Sequence, residues 1–189
     1  ALCATAALRS GSGLITVGCP DSQQAVLAVK LTEVMTLPLP EISGKISGDA
    51  IETVKQQSLI SDVCAVGPGL GRSDGIWKCI EAVLAANKPV LIDADGLNSI
   101  AGHINVLESS HAEIVMTPHP GEMSRLCGLP IAEIEANREK IAVEFAKKYN
   151  VTLLLKGKHT VVASPRGEVH INPTGNSGMA TGGMGDVLS

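Results

Sequence analysis

Aromatic residues are scarce in this chain: Trp77, Phe145 and Tyr149 are the only three, 2% of 189 residues. A surface that reads single-stranded nucleic acid needs stacked rings, and that composition does not supply them. Excess positive charge is missing too, with 15 basic against 19 acidic residues for a net charge of −4. Nucleic-acid binding is therefore excluded as an expectation. No apolar run approaches the roughly 20 residues that span a bilayer, so no membrane partner is expected. No pair of the five cysteines makes C-x-x-C, and the number is odd. Neither a disulfide framework nor a zinc site follows, and a reducing, cytoplasmic setting does. Repeats, low-complexity tracts and linkers are likewise lacking.

What remains is a chain that is 44% hydrophobic, enough for a packed core and too much for disorder. Short apolar runs alternate with helical patterns. Strands are expected at Gly13–Cys19, Asp62–Val66, Pro89–Ile92, Glu113–Met116 and Val151–Leu155. They are continuously apolar, as strands buried on both faces are. Ser73–Ala86 and Ile131–Tyr149 carry apolar residues at helical spacing, and Pro130 suits the first turn of the second helix. Thr160–Ala163 and Glu168–Ile171, joined by Ser164-Pro-Arg-Gly167, read as an antiparallel hairpin at a sheet edge. The pattern predicts an α/β fold of three layers, with a mostly parallel central sheet and helices on both faces. The chain opens on a helix already under way and stops where another begins, so the expectation is a single domain, 1–189, truncated at both ends.

Each polar or glycine-rich motif directly follows a strand. In open α/β sheets ligands sit outside the carboxyl ends of the strands, so these motifs are expected to share one rim. The segment Asn176-Ser-Gly-Met-Ala-Thr-Gly-Gly-Met-Gly-Asp186 is the most specific. Its glycines, Gly182, Gly183 and Gly185, allow close backbone approach and positive φ. Successive N–H groups at a helix start make a nest for an anion. Asp186 in that place repels phosphate and suits a base that takes a proton from an attacking hydroxyl. The alternative for the same residues is a turn followed by an acid that favours the helix dipole.

Lys156-Gly-Lys-His-Thr160 suits phosphate contacts, or a solvated turn into the hairpin. It does not fit the Walker pattern, and Gly67-Pro-Gly-Leu-Gly71 does not fit the dinucleotide fingerprint. In Thr117-Pro-His-Pro-Gly-Glu122 two prolines stiffen the loop around His119. Glu122 suits a helix N-terminal turn or a metal contact. Asp93 and Asp95 suit capping of the next helix, the preferred reading, or a contact to Mg²⁺. His103, His111 and His170 stand outside any motif.

Taken in order, Val66-Gly-Pro-Gly-Leu-Gly71, Ile92-Asp-Ala-Asp-Gly-Leu-Asn98, Thr117-Pro-His-Pro-Gly-Glu122, Leu155-Lys-Gly-Lys-His-Thr160 and Asn172–Leu188 resemble the ADP/ATP-dependent NAD(P)H-hydrate dehydratase family, which has the ribokinase-like fold. The resemblance covers essentially the whole chain. It implies a lyase that repairs the S epimer of hydrated NADH or NADPH, with ADP or ATP and Mg²⁺, releasing phosphate and AMP or ADP. It implies Asp186 as the base. Gly69, His119 and Asp186 would line the hydrate pocket. Lys156, Gly157, Lys158, His159, Thr160 and Gly185 would hold the nucleotide, with no residue assigned as a metal ligand. By the same analogy the partners are a fused or separate NAD(P)H-hydrate epimerase and further copies of the chain in a homo-tetramer. Two other readings share the glycine nest and the acid: a ribokinase-like kinase for a vitamin precursor of the hydroxymethylpyrimidine or hydroxyethylthiazole type, and a nucleotide-binding module without turnover.

Overall fold

A computed structural model describes residues 1–189. The elements run α1 (Leu2–Arg9), β1 (Thr16–Pro20), α2 (Asp21–Lys30), β2 (Met35–Leu39), β3 (Glu41–Ile42), β4 (Lys45–Ile46), α3 (Ile51–Ile60), β5 (Cys64–Val66), α4 (Asp74–Ala85), β6 (Val90–Ile92), α5 (Ala94–Ala101), α6 (Val106–Ser109), β7 (Ile114–Met116), α7 (Pro120–Cys127), α8 (Ile131–Ala136), α9 (Arg138–Tyr149), β8 (Thr152–Leu155), β9 (Val161–Ala163), β10 (Val169–Ile171) and α10 (Met184–Leu188). No helix is long and apolar enough to cross a membrane.

The main sheet has the order β10-β9-β8-β7-β6-β5. β5 through β8 are parallel, and β9 and β10 close one edge antiparallel. The continuous apolar runs explain the parallel part. Val90, Ile92, Met116, Leu153 and Leu155 are all buried, and they belong to a core of 29 residues. α4 forms where expected: the Ser73 hydroxyl accepts from the Ile76 N–H at 3.2 Å, and Ile76, Ile80, Val83 and Leu84 turn inward.

Two expectations change. Gly13–Cys19 does not join the main sheet. Its strand starts at Thr16 and pairs in parallel with β2, from Thr16 opposite Met35 to Pro20 opposite Leu39. This ribbon packs with α1 and α2 around a second, small core of Ala4, Leu31 and Val34. The helix expected over Ile131–Tyr149 is two helices that break at Asn137, whose φ is −134° and ψ 36°. Each half has its own partner: α8 packs on α7, and α9 packs on β8 and β9. Asn137 competes with the helix for hydrogen bonds by donating from Nδ2 to the Glu133 carbonyl.

Candidate active site

The parallel order places the ends of β5, β6, β7 and β8 side by side, so Gly67, Asp93, Thr117 and Lys156 follow one another along a single rim. Lys156 crosses it. Its Nζ lies 2.6 Å from Asp93 Oδ1 and 3.9 Å from Glu122 Oε2. Asp93 is 2% exposed and Glu122 5%. The other oxygen of Asp93 accepts from the Ser189 hydroxyl at 2.7 Å. A buried charge network thus joins three motifs that are far apart in the chain.

Asp93 corrects the capping expectation. It stands at the N-cap position of α5, but its side chain caps no N–H of that helix. Burial opposes its charge. The hydrogen bonds from Lys156 and Ser189 and the positive charge of Lys156 outweigh burial and hold the carboxyl below its ordinary 3.8. A group so lowered stabilises the fold fully above pH 3.8, and that contribution is lost as pH falls through the native value. An Asp93→Asn variant is expected to lose about 3 kcal/mol at neutral pH, because Lys156 loses its closest partner in a mostly buried site. Its acid unfolding limb should be flatter than that of the parent. Equilibrium denaturation across pH 2.5–7 measures both, and parallel limbs would remove Asp93 from the linkage.

Asp95 does local work. It accepts from the Gly71 N–H at 2.8 Å and lies 3.8 Å from Arg72 Nε, tying the glycine loop after β5 to the start of α5. Gly67, at φ +129°, crosses the Asp93 backbone so closely that a Cβ there would overlap the Asp93 carbonyl oxygen. Gly69, at φ +68°, is exposed and has nothing within 4 Å of where a Cβ would stand. The loop is thus pinned at Gly67 and open at Gly69.

His119 is both structural and accessible. Its Nδ1 accepts from the N–H groups of Gly121 at 2.9 Å and Glu122 at 3.3 Å, while Glu122 Oε2 accepts from the His119 N–H at 2.8 Å. This is a reciprocal capping box at the start of α7, with Pro120 at its first position. Two N–H groups on Nδ1 leave the proton of the neutral ring on Nε2, on a side chain that is 50% exposed. Glu122 takes the expected part in the helix N-terminal turn, as the cap partner, and its Oε2 also faces Lys156 Nζ at 3.9 Å.

The fourth wall is the glycine-rich segment before α10. Of the three glycines singled out, Gly183 alone has positive φ, at +86°. No backbone carbonyl accepts from the N–H groups of Gly182, Gly183, Gly185 or Asp186. A Cβ on Gly185 would stand 3.7 Å from Lys156 Nζ and 3.9 Å from Asp93 Oδ2, so the segment meets the charge network at Gly185, while Gly182 is open and Gly183 rests against Leu2. Asp186 follows Gly185, partly buried. Burial raises the Cys3 thiol; the N-terminal amino group opposes that, and the charges of Asp186 and Asp93 add to it. Both carboxylates therefore lie close enough to Cys3 to act on it.

Gly157, Lys158 and His159 are exposed at the end of β8, and Thr160 Oγ1 donates to the Gly157 carbonyl at 3.0 Å. Gly157 has φ +149° and His159 φ +56°, a strained local path of a kind that clusters at ligand sites. The rim thus brings together Gly185, Asp186, Lys156 and the capping pair His119–Glu122. The pairing of Asp93 with Lys156 is what local sequence reading missed. The signal at Asp93 was one acid after a buried strand, the same as that of any helix cap. No group of three or more His, Cys, Asp or Glu side chains forms a metal cage. His103 stacks on Trp77 with ring centroids 4.1 Å apart, away from these motifs.

The profile of the NAD(P)H-hydrate dehydratase family matches residues 1–189. The bifunctional NAD(P)H-hydrate repair enzyme Nnr of Moorella thermoacetica is 46% identical over 190 residues, covering 100% of this chain and 36% of that protein. The Escherichia coli K12 enzyme of the same name is 39% identical, covering 97% of this chain and 33% of its own length. The chain therefore spans about a third of these relatives. The crystal structure of ADP/ATP-dependent NAD(P)H-hydrate dehydratase from Bacillus subtilis, co-crystallised with ATP/Mg²⁺, superimposes with a TM-score of 0.80 at 29% identity, over 99% of this chain and 63% of that one. A ribokinase-like superfamily protein from Enterococcus faecalis gives 0.80 at 28%, over 99% of this chain and 62% of its own. A hydroxyethylthiazole kinase from Pyrococcus horikoshii gives 0.58 at 18% identity, covering 98% of this chain and 76% of its own, a likeness of fold alone.

Proposed function

The chain belongs to the NAD(P)H-hydrate dehydratase family, and from that premise we propose that it carries the dehydratase activity: ADP- or ATP-dependent dehydration of the S epimer of hydrated NADH or NADPH. The observation that carries the proposal is that the segment bearing the free amides of Gly182, Gly183, Gly185 and Asp186 meets Lys156 and Asp93 at Gly185, on one rim. The terminal phosphate of the nucleotide lies against those amides and Lys156. Lys156, Gly157, Lys158, His159, Thr160 and Gly185 hold the nucleotide, and Gly69 and His119 border the hydrate.

Asp186 takes the proton from the hydroxyl of the hydrate. That oxygen attacks the terminal phosphorus, the bond to the nucleotide's bridging oxygen breaks, and AMP or ADP leaves. The hydroxyl, a poor leaving group, has become a phosphate ester. The C–O bond then breaks with loss of a proton from the neighbouring carbon. Phosphate departs and the dihydronicotinamide double bond is restored. The amides stabilise charge on the moving phosphoryl oxygens without reorganising.

Mg²⁺ at such a site is commonly held by one or two carboxylates plus substrate phosphates rather than by a protein cage. Both Asp93 oxygens are engaged, by Lys156 and Ser189, so Glu122 would be the carboxylate facing the ion, with the phosphates supplying most of its ligands. The ion, when bound, neutralises phosphate charge. The partners that go with this reading are an epimerase that supplies the S epimer, fused or separate, and copies of the chain in a homo-tetramer, in a cytoplasmic setting.

The test incubates this chain with the S epimer of hydrated NADH, Mg²⁺ and either ADP or ATP. Dihydronicotinamide absorbance is expected to return with one phosphate released per hydrate. A phosphorylated product that accumulates without that return would replace the reading with a small-molecule kinase. Nucleotide binding with no phosphate release would replace it with a binding module.

A further inference from the structure

Arg138 is in an electrostatically poor place. It is the first residue of α9, where the helix dipole is positive and a cation is disfavoured. Its side chain is only 13% exposed, and its Nε is buried with no hydrogen-bond partner. Two costs of this kind at one side chain call for a compensating role. The compensation is visible at the end of β8. Nη2 donates to the Leu155 carbonyl at 2.8 Å and to the Lys156 carbonyl at 3.2 Å. Nη1 donates to Glu135 Oε1 and Oε2 at 3.3 and 3.2 Å. The break at Asn137 turns the chain so that this side chain reaches under the neighbouring strand.

The bond to the Lys156 carbonyl fixes a peptide that is otherwise free to turn over. A trans peptide holds its N–H opposite its C=O, so the Gly157 N–H points away from the guanidinium. No backbone carbonyl in the chain accepts from that N–H. Flipping the Lys156–Gly157 peptide changes ψ of Lys156 and φ of Gly157, and a glycine offers little resistance to the latter. The preceding peptide is held at both ends: Arg138 binds the Leu155 carbonyl, and the Lys156 N–H donates to Pro118 at 2.8 Å. A Cβ on Gly157 would stand 2.8 Å from Arg138 Nη1, so the two residues are mutually fitted.

We infer that Arg138 is a positioning residue for the nucleotide: it locks the Lys156–Gly157 peptide so that the Gly157 N–H stays free as a donor to a phosphate oxygen. The inference rests on the nucleotide role proposed above for this loop. Arg138 itself touches no ligand and acts through the backbone.

The experiment measures ADP and ATP binding by calorimetry, with Mg²⁺, for the parent chain and for Arg138→Gln, Arg138→Lys and Glu135→Gln, alongside steady-state kinetics and melting curves. Arg138→Gln is expected to raise the nucleotide Kd roughly tenfold, as loss of a charge-assisted hydrogen bond does. Arg138→Lys recovers part of that, because an ammonium reaches one carbonyl but lacks the planar fork. Glu135→Gln, at an exposed position, raises Kd about two- to threefold through the weakened guanidinium anchor. The KM for nucleotide moves in step, and the KM for the hydrate does not. A fall in melting temperature and kcat with an unchanged nucleotide Kd would overturn the inference, as would equal rises in both KM values. If Arg138→Gln does not fold, the other two variants decide on the same readout, and an unchanged Kd in both overturns it. A parent chain that binds nucleotide but consumes no hydrate refutes the reaction proposed above and leaves the Kd comparison to decide this one. A parent chain that binds neither nucleotide overturns both.

Discussion

An Asp186→Asn protein is expected to bind ADP or ATP as the parent does and to lose about three orders of magnitude in the rate of hydrate repair, the middle of the range for removal of a general base. The amide is nearly the same size as the carboxylate, so packing is kept. The change in helix-dipole interaction at the start of α10 costs well under about 1 kcal/mol at this partly exposed position. Single-turnover phosphate release, with calorimetry as the control for binding, separates chemistry from affinity. The neighbouring acid cannot take over. Asp93 uses one oxygen on Lys156 and the other on Ser189, and its lowered pKa makes it a weaker base. Unchanged turnover in Asp186→Asn would remove the base from this position and with it the order of events proposed.

Gly67→Ala is expected to cost more than about 3 kcal/mol and to leave little folded protein at 37 °C, since strain at such a φ adds to a collision with rigid backbone. The residue sits at φ +129°, and its new methyl would meet the Asp93 carbonyl oxygen, with the Gly96 N–H 2.9 Å away. Neither can yield: the Asp93 N–H donates to Val66 at 3.1 Å, and its carbonyl accepts from Gly96 at 2.9 Å. Gly69→Ala is the matched control. It shares the positive φ but has open space around it, so about 1 kcal/mol of stability is lost and the larger effect falls on hydrate binding. Urea midpoints for the two variants should differ several-fold in their shift. Equal shifts would mean that the crossing of the two loops is not as described.

The alternation of apolar runs and helical patterns made the parallel sheet and its rim legible before any coordinates, because buried parallel strands need no polar alternation. The motifs at Gly67, His119, Lys156 and Asp186 were legible for the same reason: each directly follows a strand or opens a helix. Partnership was not. Lys156 and Asp93 are 63 residues apart, and the sheet order alone brings them to 2.6 Å. The break at Asn137 was hidden because Ile134 and Ile141 keep helical spacing across it; only their different partners, α7 on one side and the sheet on the other, require two axes. The separate β1–β2 ribbon was hidden as well, since a short apolar run such as Gly13–Cys19 does not say which sheet it joins.

Lys156 and Asp93 stand on strands rooted in the 29-residue core, whereas the amides at residues 182–186 lie beside α1, where Gly183 rests against Leu2, and α1 is anchored by a core of three. Elements with so little buried apolar contact open long before the sheet does. A ligand gripped from both sides acts as a rivet between a firm jaw and a loose one, and a ligand that needs both ties the loose jaw to the stability of the firm one. On the reaction proposed above, the protein would be at its most rigid while phosphate moves and loosest when empty, the order that lets substrate enter and product leave.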